Sequence, residues 1–332
     1  MPRASEPRGL RVAALQLDLV RGDVAANLAR VEAGLFEASA AGVRLLCLPE
    51  MWATSFVETL GAAPADWWGP TSEALTRIAD LSGELGIAVA GSAFAPADPA
   101  REPRPGERLR NRLHVYDEGE LVFAYDKVHL FSPTGERESF VAGDHPPATI
   151  PLAGVRVSGA VCYDLRFAPL LRVPYVDGAE LLLVPAQWPE TRAAHWRALV
   201  VGRAVEAQCF VLAVNRVGCE TVGRRELELR FPGNSLVVGP AGEVLAEGRG
   251  EQGLIVADLD LERVERLRRE VPVRRDQRPE VYDRAPAPLA SDDDGDEEPE
   301  PQEADEPDGP KRASEPGASN GVLTEGHPGA TR

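Results

Sequence analysis

The stretch VRLLCLPE, residues 43–50, decides how this chain folds. Its apolar run is nearly continuous, so it leaves no face for water. Such a run reads as a strand covered on both sides, as in a sheet with layers packed above and below it. Working outward, DVAANLARVEAGLFEASAAG (23–42) places Val24, Leu28, Val31 and Leu35 at helical spacing, with Gly42 as the stop. LRVAALQL (10–17) before it is a short β-rich run. The unit is strand, helix, strand.

The alternation continues downstream. SEALTRIADLSGELG (72–86) is helical and IAVAGSAF (87–94) a strand. NRLHVYDEGELVFAYDK (111–127) is a hairpin turning at Asp117-Glu118-Gly119. VRVSGAVC (155–162) is a strand, and FAPLLRVPYVDG (167–178) a short helix expected to break near Pro174. ELLLVPAQ (180–187) and CFVLAVNRVG (209–218) are strands around the helix AAHWRALVVGRAVEAQ (193–208). NSLVVGPAGEVLAE (234–247) is a second hairpin, and GLIVADLDLERVERLRRE (253–270) closes with a strand and a helix. Strands alternating with helices predict a layered α/β domain, and the hairpins make its sheets mixed. We expect one domain over 9–284, a flexible N-terminus over 1–8 and a disordered acidic tail over 285–332.

The 332 residues are 43% hydrophobic and 27% charged, enough apolar material for one large core. The net charge of -17 is uneven. From Ser291 onward thirteen Asp and Glu face three basic residues, among Pro, Gly and Ser, a composition that cannot offset its ordering entropy. The remainder is mildly acidic with no long basic run, which argues against nucleic-acid binding. No apolar run is long enough to span a membrane, and MPRASEPRGL lacks the apolar core of a signal peptide. Cys47, Cys162, Cys209 and Cys219 have no CxxC spacing, so we expect a cytoplasmic protein with free thiols. The five histidines make no zinc pattern, and no glycine-rich nucleotide loop is present, so no metal or cofactor is expected.

Three residues sit at the carboxyl ends of separate strands, where α/β sheets bind ligands. Glu50 ends VRLLCLPE, and a carboxylate there suits general acid-base work, a helix cap or a buried ion pair. Lys127 ends LVFAYDK and is the only lysine before the tail; Lys311 is the other, and every remaining positive side chain is Arg. Lysine offers a compact ammonium that fits beside a single oxygen, which Arg does not. Cys162 sits where VSGAVC passes into a helix, a turn that holds a nucleophile proud of the sheet with the next N–H aimed at a bound carbonyl. A cysteine in an apolar strand is equally a small core residue, the reading that Cys47 and Cys209 fit. Cys219 falls in an expected loop. Together the three supply a base, an oxyanion donor and a nucleophile. Trp188, after the strand end in AQWP, is a candidate pocket wall.

LLCLPEMW, YDKVHLF and VSGAVCYDLRF, in that order, resemble the catalytic Glu, Lys and Cys segments of the nitrilase superfamily of carbon–nitrogen hydrolases. The resemblance covers residues 9–282. It implies an αββα sandwich that forms a four-layered dimer, with no metal or organic cofactor. PAQWPETRAAHWRALVVGRAVEAQCFVLAVNRVG is similar to the omega-amidase branch, which hydrolyses 2-oxoglutaramate and related omega-amides. GERESF (135–140) resembles the segment that carries a second glutamate, here Glu136. Two positions depart from the family pattern. Ala168 stands where RFP is usual and Ala207 where RA-x-EN is usual.

The resemblance implies amide hydrolysis through a thioester on Cys162. Glu50 is then the acid-base group, Lys127 and the Tyr163 N–H hold the oxyanion, and Glu136 bonds Lys127 or positions substrate. Arg166 is expected to pair with Asp164, or else to bind a substrate carboxylate. Alternatives within the superfamily are an N-carbamoyl amidohydrolase, an aliphatic amidase or a nitrilase. A different class is a catalytically inactive nitrilase fold serving as an interaction module.

Overall fold

The computed structural model describes residues 8–57, 64–222 and 227–282. The first residues and the acidic tail, for which flexibility and disorder are expected, lie outside the described residues. In chain order the elements are β1 (Gly9–Gln16), α1 (Val24–Ala40), β2 (Leu45–Cys47), α2 (Trp68–Leu85), β3 (Ala88–Ala95), β4 (Arg110–Asp117), β5 (Glu120–Asp126) and the one-turn helix α3 (Glu136–Ser139). There follow β6 (Ile150–Leu152), β7 (Val155–Gly159), α4 (Ala168–Val176), β8 (Leu181–Ala186), α5 (Ala193–Ala207), β9 (Phe210–Asn215), β10 (Val217–Val222), β11 (Leu227–Pro232), β12 (Leu236–Val238), β13 (Val244–Glu247), β14 (Gly253–Asp260) and α6 (Glu262–Glu270). Residues through Gln277 form one compact unit. Arg278 begins a second, of which the short helix α7 (Pro279–Tyr282) is described.

Two six-stranded sheets carry the fold, ordered β14-β1-β2-β3-β4-β5 and β13-β12-β9-β8-β7-β6. Each has three parallel strands at its centre, β1-β2-β3 and β7-β8-β9, and antiparallel strands outside them. The sheets pack face to face. Val12, Ala14, Leu45, Ala90 and Leu113 of one join Leu181, Leu183 and Leu212 of the other in a single core. On the outer face of the first sheet, Ala13, Leu46 and Val89 meet Val31 and Leu35 of α1 and Ile78 and Leu81 of α2. Trp196, Val200 and Ala204 of α5 cover the second sheet. The result is the expected αββα sandwich, and it explains why β2 is buried at every residue.

Local chemistry sets the elements. Asp23 caps α1 by accepting from the Ala26 N–H at 2.9 Å. The helix lies so close to β1 that a Cβ on Gly34 would strike the Leu15 side chain at 2.4 Å. Leu35 is fully buried, and its replacement by Ala should cost ~2–5 kcal/mol. The β4–β5 hairpin turns on Glu118 and Gly119, both left-handed at φ 52 and 88, as a two-residue turn requires.

Several expectations need correction. The helix over 168–176 does not break at Pro174. The proline forfeits one bond to the preceding turn, but its fixed φ is helical and its ring is buried, so α4 runs on to Val176. It ends where the Asp177 N–H bonds the Val173 carbonyl at 3.0 Å. Cys219 lies in strand β10, not a loop, and the β10–β11 hairpin was not foreseen. Strand β6 was also unread. The pairing of Asp164 with Arg166 does not form. Buried Asp164 instead accepts from the Tyr125 hydroxyl at 2.8 Å and the His129 backbone N–H at 2.9 Å. Arg166 lies over the Trp188 ring and contacts His195.

Candidate active site

The ends of β2, β5, β7 and β8 converge on one buried cluster. Glu50 stands three residues past β2, in a turn rather than in the strand itself. The turn is held by the Ser92 hydroxyl, which accepts from the Met51 N–H at 3.0 Å, and by Met51 in the left-handed region at φ 48. Lys127 follows β5 directly. Its N–H bonds the Asn111 carbonyl at 2.9 Å, so the hairpin register fixes where its stem begins. Cys162 comes three residues after β7 and opens a 3-10 turn over Cys162–Arg166. Its φ is 46, a left-handed conformation that costs a non-glycine residue ~1–3 kcal/mol.

Lys127 is 1% exposed. Its ammonium lies 2.9 Å from Glu50 Oε1 and 2.8 Å from each oxygen of Glu136. Glu136, also buried, heads α3 and accepts from the Phe131 N–H at 3.0 Å. Glu50 makes two further bonds. Asn111 Nδ2 donates to Oε1 at 2.8 Å and the Gln187 N–H to Oε2 at 3.0 Å. Gln187 also reaches Cys162, whose Sγ is 4.0 Å from the Gln187 carbonyl.

The electrostatics follow from this packing. Burial works against the Lys127 charge, but Glu136 and Glu50 outweigh it and hold the ammonium well above the ordinary lysine range. Burial raises Glu136 against the pull of Lys127. Burial, with the Glu50 charge added, pushes the Cys162 thiol well up despite Lys127. The surroundings therefore favour the thiol over the thiolate.

A cavity of about 130 Å³ opens onto Cys162, Glu50 and Glu136. Trp188, Tyr163, Phe131 and Phe231 wall it, with the Phe131 and Tyr163 rings packed edge to face at 5.0 Å. Trp188 is clamped: its N–H donates to Asn215 Oδ1 at 2.7 Å and its indole N–H to the Arg192 carbonyl at 2.8 Å. Arg166 and Arg192 reach the cavity from the rim. The Arg166 guanidinium stacks 4.8 Å over Trp188, and that of Arg192 lies 5.6 Å from the Phe131 ring. Among the described residues neither pairs with a carboxylate, and no cluster of metal-ligating side chains is present. No described helix is long and apolar enough to cross a membrane.

The pattern of carbon–nitrogen hydrolases matches residues 11–269. The chain belongs to the carbon–nitrogen hydrolase family. This carbon–nitrogen hydrolase is 32% identical over 272 residues to the 2-oxoglutaramate amidase of Bacillus subtilis (strain 168), covering 82% of this chain and 98% of that one. To the omega-amidase YafV of Escherichia coli (strain K12) it is 30% identical over 269 residues, covering 81% and 96%. It is 28% identical to a mutant of the amidase from Nesterenkonia sp. AN1, with a TM-score of 0.68 and coverage of 82% and 96%. That mutant shows covalent addition of the acetamide moiety of fluoroacetamide at its active-site cysteine. The carbon–nitrogen hydrolase described here is an amidohydrolase acting on non-peptide C–N bonds.

The structure brings together Glu50, Lys127, Glu136 and Cys162 in one cluster, with Tyr163, Arg166 and Trp188 around the cavity above it. Asn111, Gln187 and Arg192 escaped the sequence reading. Asn111 had only a partial signal: counting straight back from the turn at Glu118-Gly119 sets it across from Asp126, and a bulge between Val115 and Tyr116 shifts it opposite Lys127. Gln187 acts through its backbone as well as its side chain, which residue type does not announce.

Proposed function

We propose that this carbon–nitrogen hydrolase converts a small omega-amide, 2-oxoglutaramate or a close relative, to the acid and ammonia through a thioester on Cys162. The observation that carries the reading is Cys162 beside Glu50 and the Lys127–Glu136 pair, on a cavity lined by two arginines that pair with no carboxylate among the described residues. Similarity to proteins named 2-oxoglutaramate amidase and omega-amidase supports the substrate class.

The Cys162 sulfur attacks the amide carbon as Glu50 takes the thiol proton. The carbonyl oxygen becomes an oxyanion, held by the Tyr163 N–H and by Lys127. The Lys127 ammonium sits equally close to both Glu136 oxygens, so one N–H can turn to the oxyanion while the ion pair persists. Collapse breaks the C–N bond, and Glu50 returns the proton to the departing ammonia. Water then attacks the thioester as Glu50 takes its proton, and the acid leaves with Cys162 restored as thiol. Glu136 keeps Lys127 in place. Arg166, with Arg192, receives the carboxylate at the far end of the substrate, while Trp188 and Tyr163 wall its chain.

The decisive assay is ammonia release across omega-amides, simple aliphatic amides, nitriles and ureido acids. Fastest turnover of a 2-oxo omega-amide supports the reading. Preference for ureido acids, simple amides or nitriles replaces it with another branch, and no turnover of any of them replaces it with the interaction module. The catalytic domain is proposed to span 9–284, with 285–332 as an appended tail, in a cytoplasmic homodimer that binds neither nucleic acid nor membrane. Exposed Val176 on α4 and Val205 on α5, two helices that pack together, support a dimer face on that layer. Sedimentation of the full chain tests it.

A further inference from the structure

We propose that Arg216 is a positioning residue for catalysis: through Gln187 it aligns Glu50 against Cys162. The inference rests on the reading of Glu50 as the acid-base group. Arg216 follows β9 and is 0% exposed. Its guanidinium donates to Gln187 Oε1 at 3.1 Å, Ser55 Oγ at 2.8 Å, the Leu19 carbonyl at 2.9 Å and the Val217 carbonyl at 3.2 Å. It also bonds the Glu220 carboxylate. So full a set of partners is what lets a buried cation persist.

Gln187 transmits the effect. Its amide has one acceptor and one donor group, and Arg216 only donates. Arg216 therefore holds Oε1 toward itself and sends the NH₂ group to the Glu50 backbone carbonyl, at 2.9 Å. The same residue's N–H bonds Glu50 Oε2 at 3.0 Å, and its carbonyl faces the Cys162 sulfur at 4.0 Å. One residue thus touches the base at two points and the nucleophile at a third, and Arg216 sets its orientation. Ser55, left-handed at φ 55 in the same turn that carries Glu50, donates to the Glu220 carboxylate at 2.6 Å, with Gln187 Oε1 3.1 Å from its hydroxyl.

The competing role is a plain ion pair with Glu220 that stiffens the β10–β11 hairpin. Two variants separate them. Arg216→Lys keeps a charge for Glu220 but has no planar fork to reach Gln187 and Ser55 together. Glu220→Gln removes the ion pair and leaves the Gln187 contact. We expect Arg216→Lys to lose about 10–100-fold in kcat with KM nearly unchanged, the scale of a small misplacement of a reacting group. Iodoacetamide labelling of Cys162 should slow in parallel. Glu220→Gln keeps an acceptor of the same shape for Arg216 and should hold kcat within about threefold. Loss in Glu220→Gln equal to that in Arg216→Lys, or unchanged kcat in Arg216→Lys, overturns the proposal. Should Arg216→Lys not fold, Gln187→Leu removes the amide with its backbone N–H intact, and must show the same loss in kcat. Glu50→Gln, measured alongside, keeps the two claims apart. If it stays active, the acid-base reading itself fails. If it is slow, adding Arg216→Lys should cost nothing more, and an additive loss refutes action through Glu50.

Discussion

Replacing Lys127 with arginine keeps the charge and changes its shape. In the structure one nitrogen meets three carboxylate oxygens at 2.8–2.9 Å, with the lysine side chain fully buried. Arginine spreads the same charge over a plane of three nitrogens on a longer stem. It can still pair with Glu50 and Glu136, but it cannot also bring a single donor beside an oxyanion. Losing one such donor costs roughly 10²–10³ in kcat. Stability should suffer less, by ~1–3 kcal/mol, the usual penalty for overfilling a packed site. Lys127→Met is the contrast. It leaves two buried carboxylates with no cation, and breaking a buried pair costs ~3–5 kcal/mol. The assay is ammonia release at saturating substrate, with thermal denaturation on the same samples. A folded Lys127→Arg protein with kcat within about tenfold of wild type would refute the oxyanion role. The ammonium would then serve only to hold the two carboxylates. Lys127 also stays charged beyond its ordinary 10.5, because its neighbours raise it. Its stabilising contribution is therefore present at every pH below that value, and is lost only as pH rises through its higher folded pKa.

Cys162→Ala should abolish ammonia release; measurable turnover by the folded variant would sink the thioester route. Iodoacetamide should alkylate Cys162 in a Glu50-dependent way and exposed Cys219 in a Glu50-independent one, while buried Cys47 and Cys209, the latter pushed up to about 12, stay unlabelled; mass spectrometry of wild type and Glu50→Gln reads this. Arg166→Met should raise KM for a 2-oxo omega-amide about 10–100-fold, the worth of one charge-assisted hydrogen bond, and leave a neutral aliphatic amide unaffected; equal effects on both would remove Arg166 from carboxylate recognition. Buried His114 is lowered to about 3 from 6.5 by burial, with Arg112 adding to it. The unfolded chain therefore takes up a proton that the folded one refuses, and stability falls by up to about 1.4 kcal/mol per pH unit as pH drops from 6.5 toward 3. His114→Phe should flatten that part of a urea-denaturation pH series; an unchanged slope assigns the acid sensitivity elsewhere.

How much of this was legible depended on rarity. Lys127 stood out because arginine fills nearly every other positive role, and its strand end could be read from the apolar run before it. Glu50 and Cys162 stood out for similar reasons, each a reactive group after a run that otherwise reads as core. The central strands were legible because burial on both faces erases alternation, as in VRLLCLPE and ELLLVPAQ; their division into two sheets came from the family resemblance. The β10–β11 hairpin was not legible. It is a separate two-stranded sheet outside both six-stranded ones, so no run of buried residues marks it in the sequence, yet it carries Phe231 into the cavity wall. Pro174 misled because the penalty for a proline is local, while the burial that outweighs it comes from elements distant in sequence. Asp164 misled because its partners, Tyr125 and His129, arrive from another sheet. The same abundance of arginine that exposed Lys127 concealed Arg192 and Arg216. In a chain where one cation type does almost every task, residue type stops carrying information, and only burial and partners separate a guanidinium that aligns a catalytic carboxylate from one that solvates a surface.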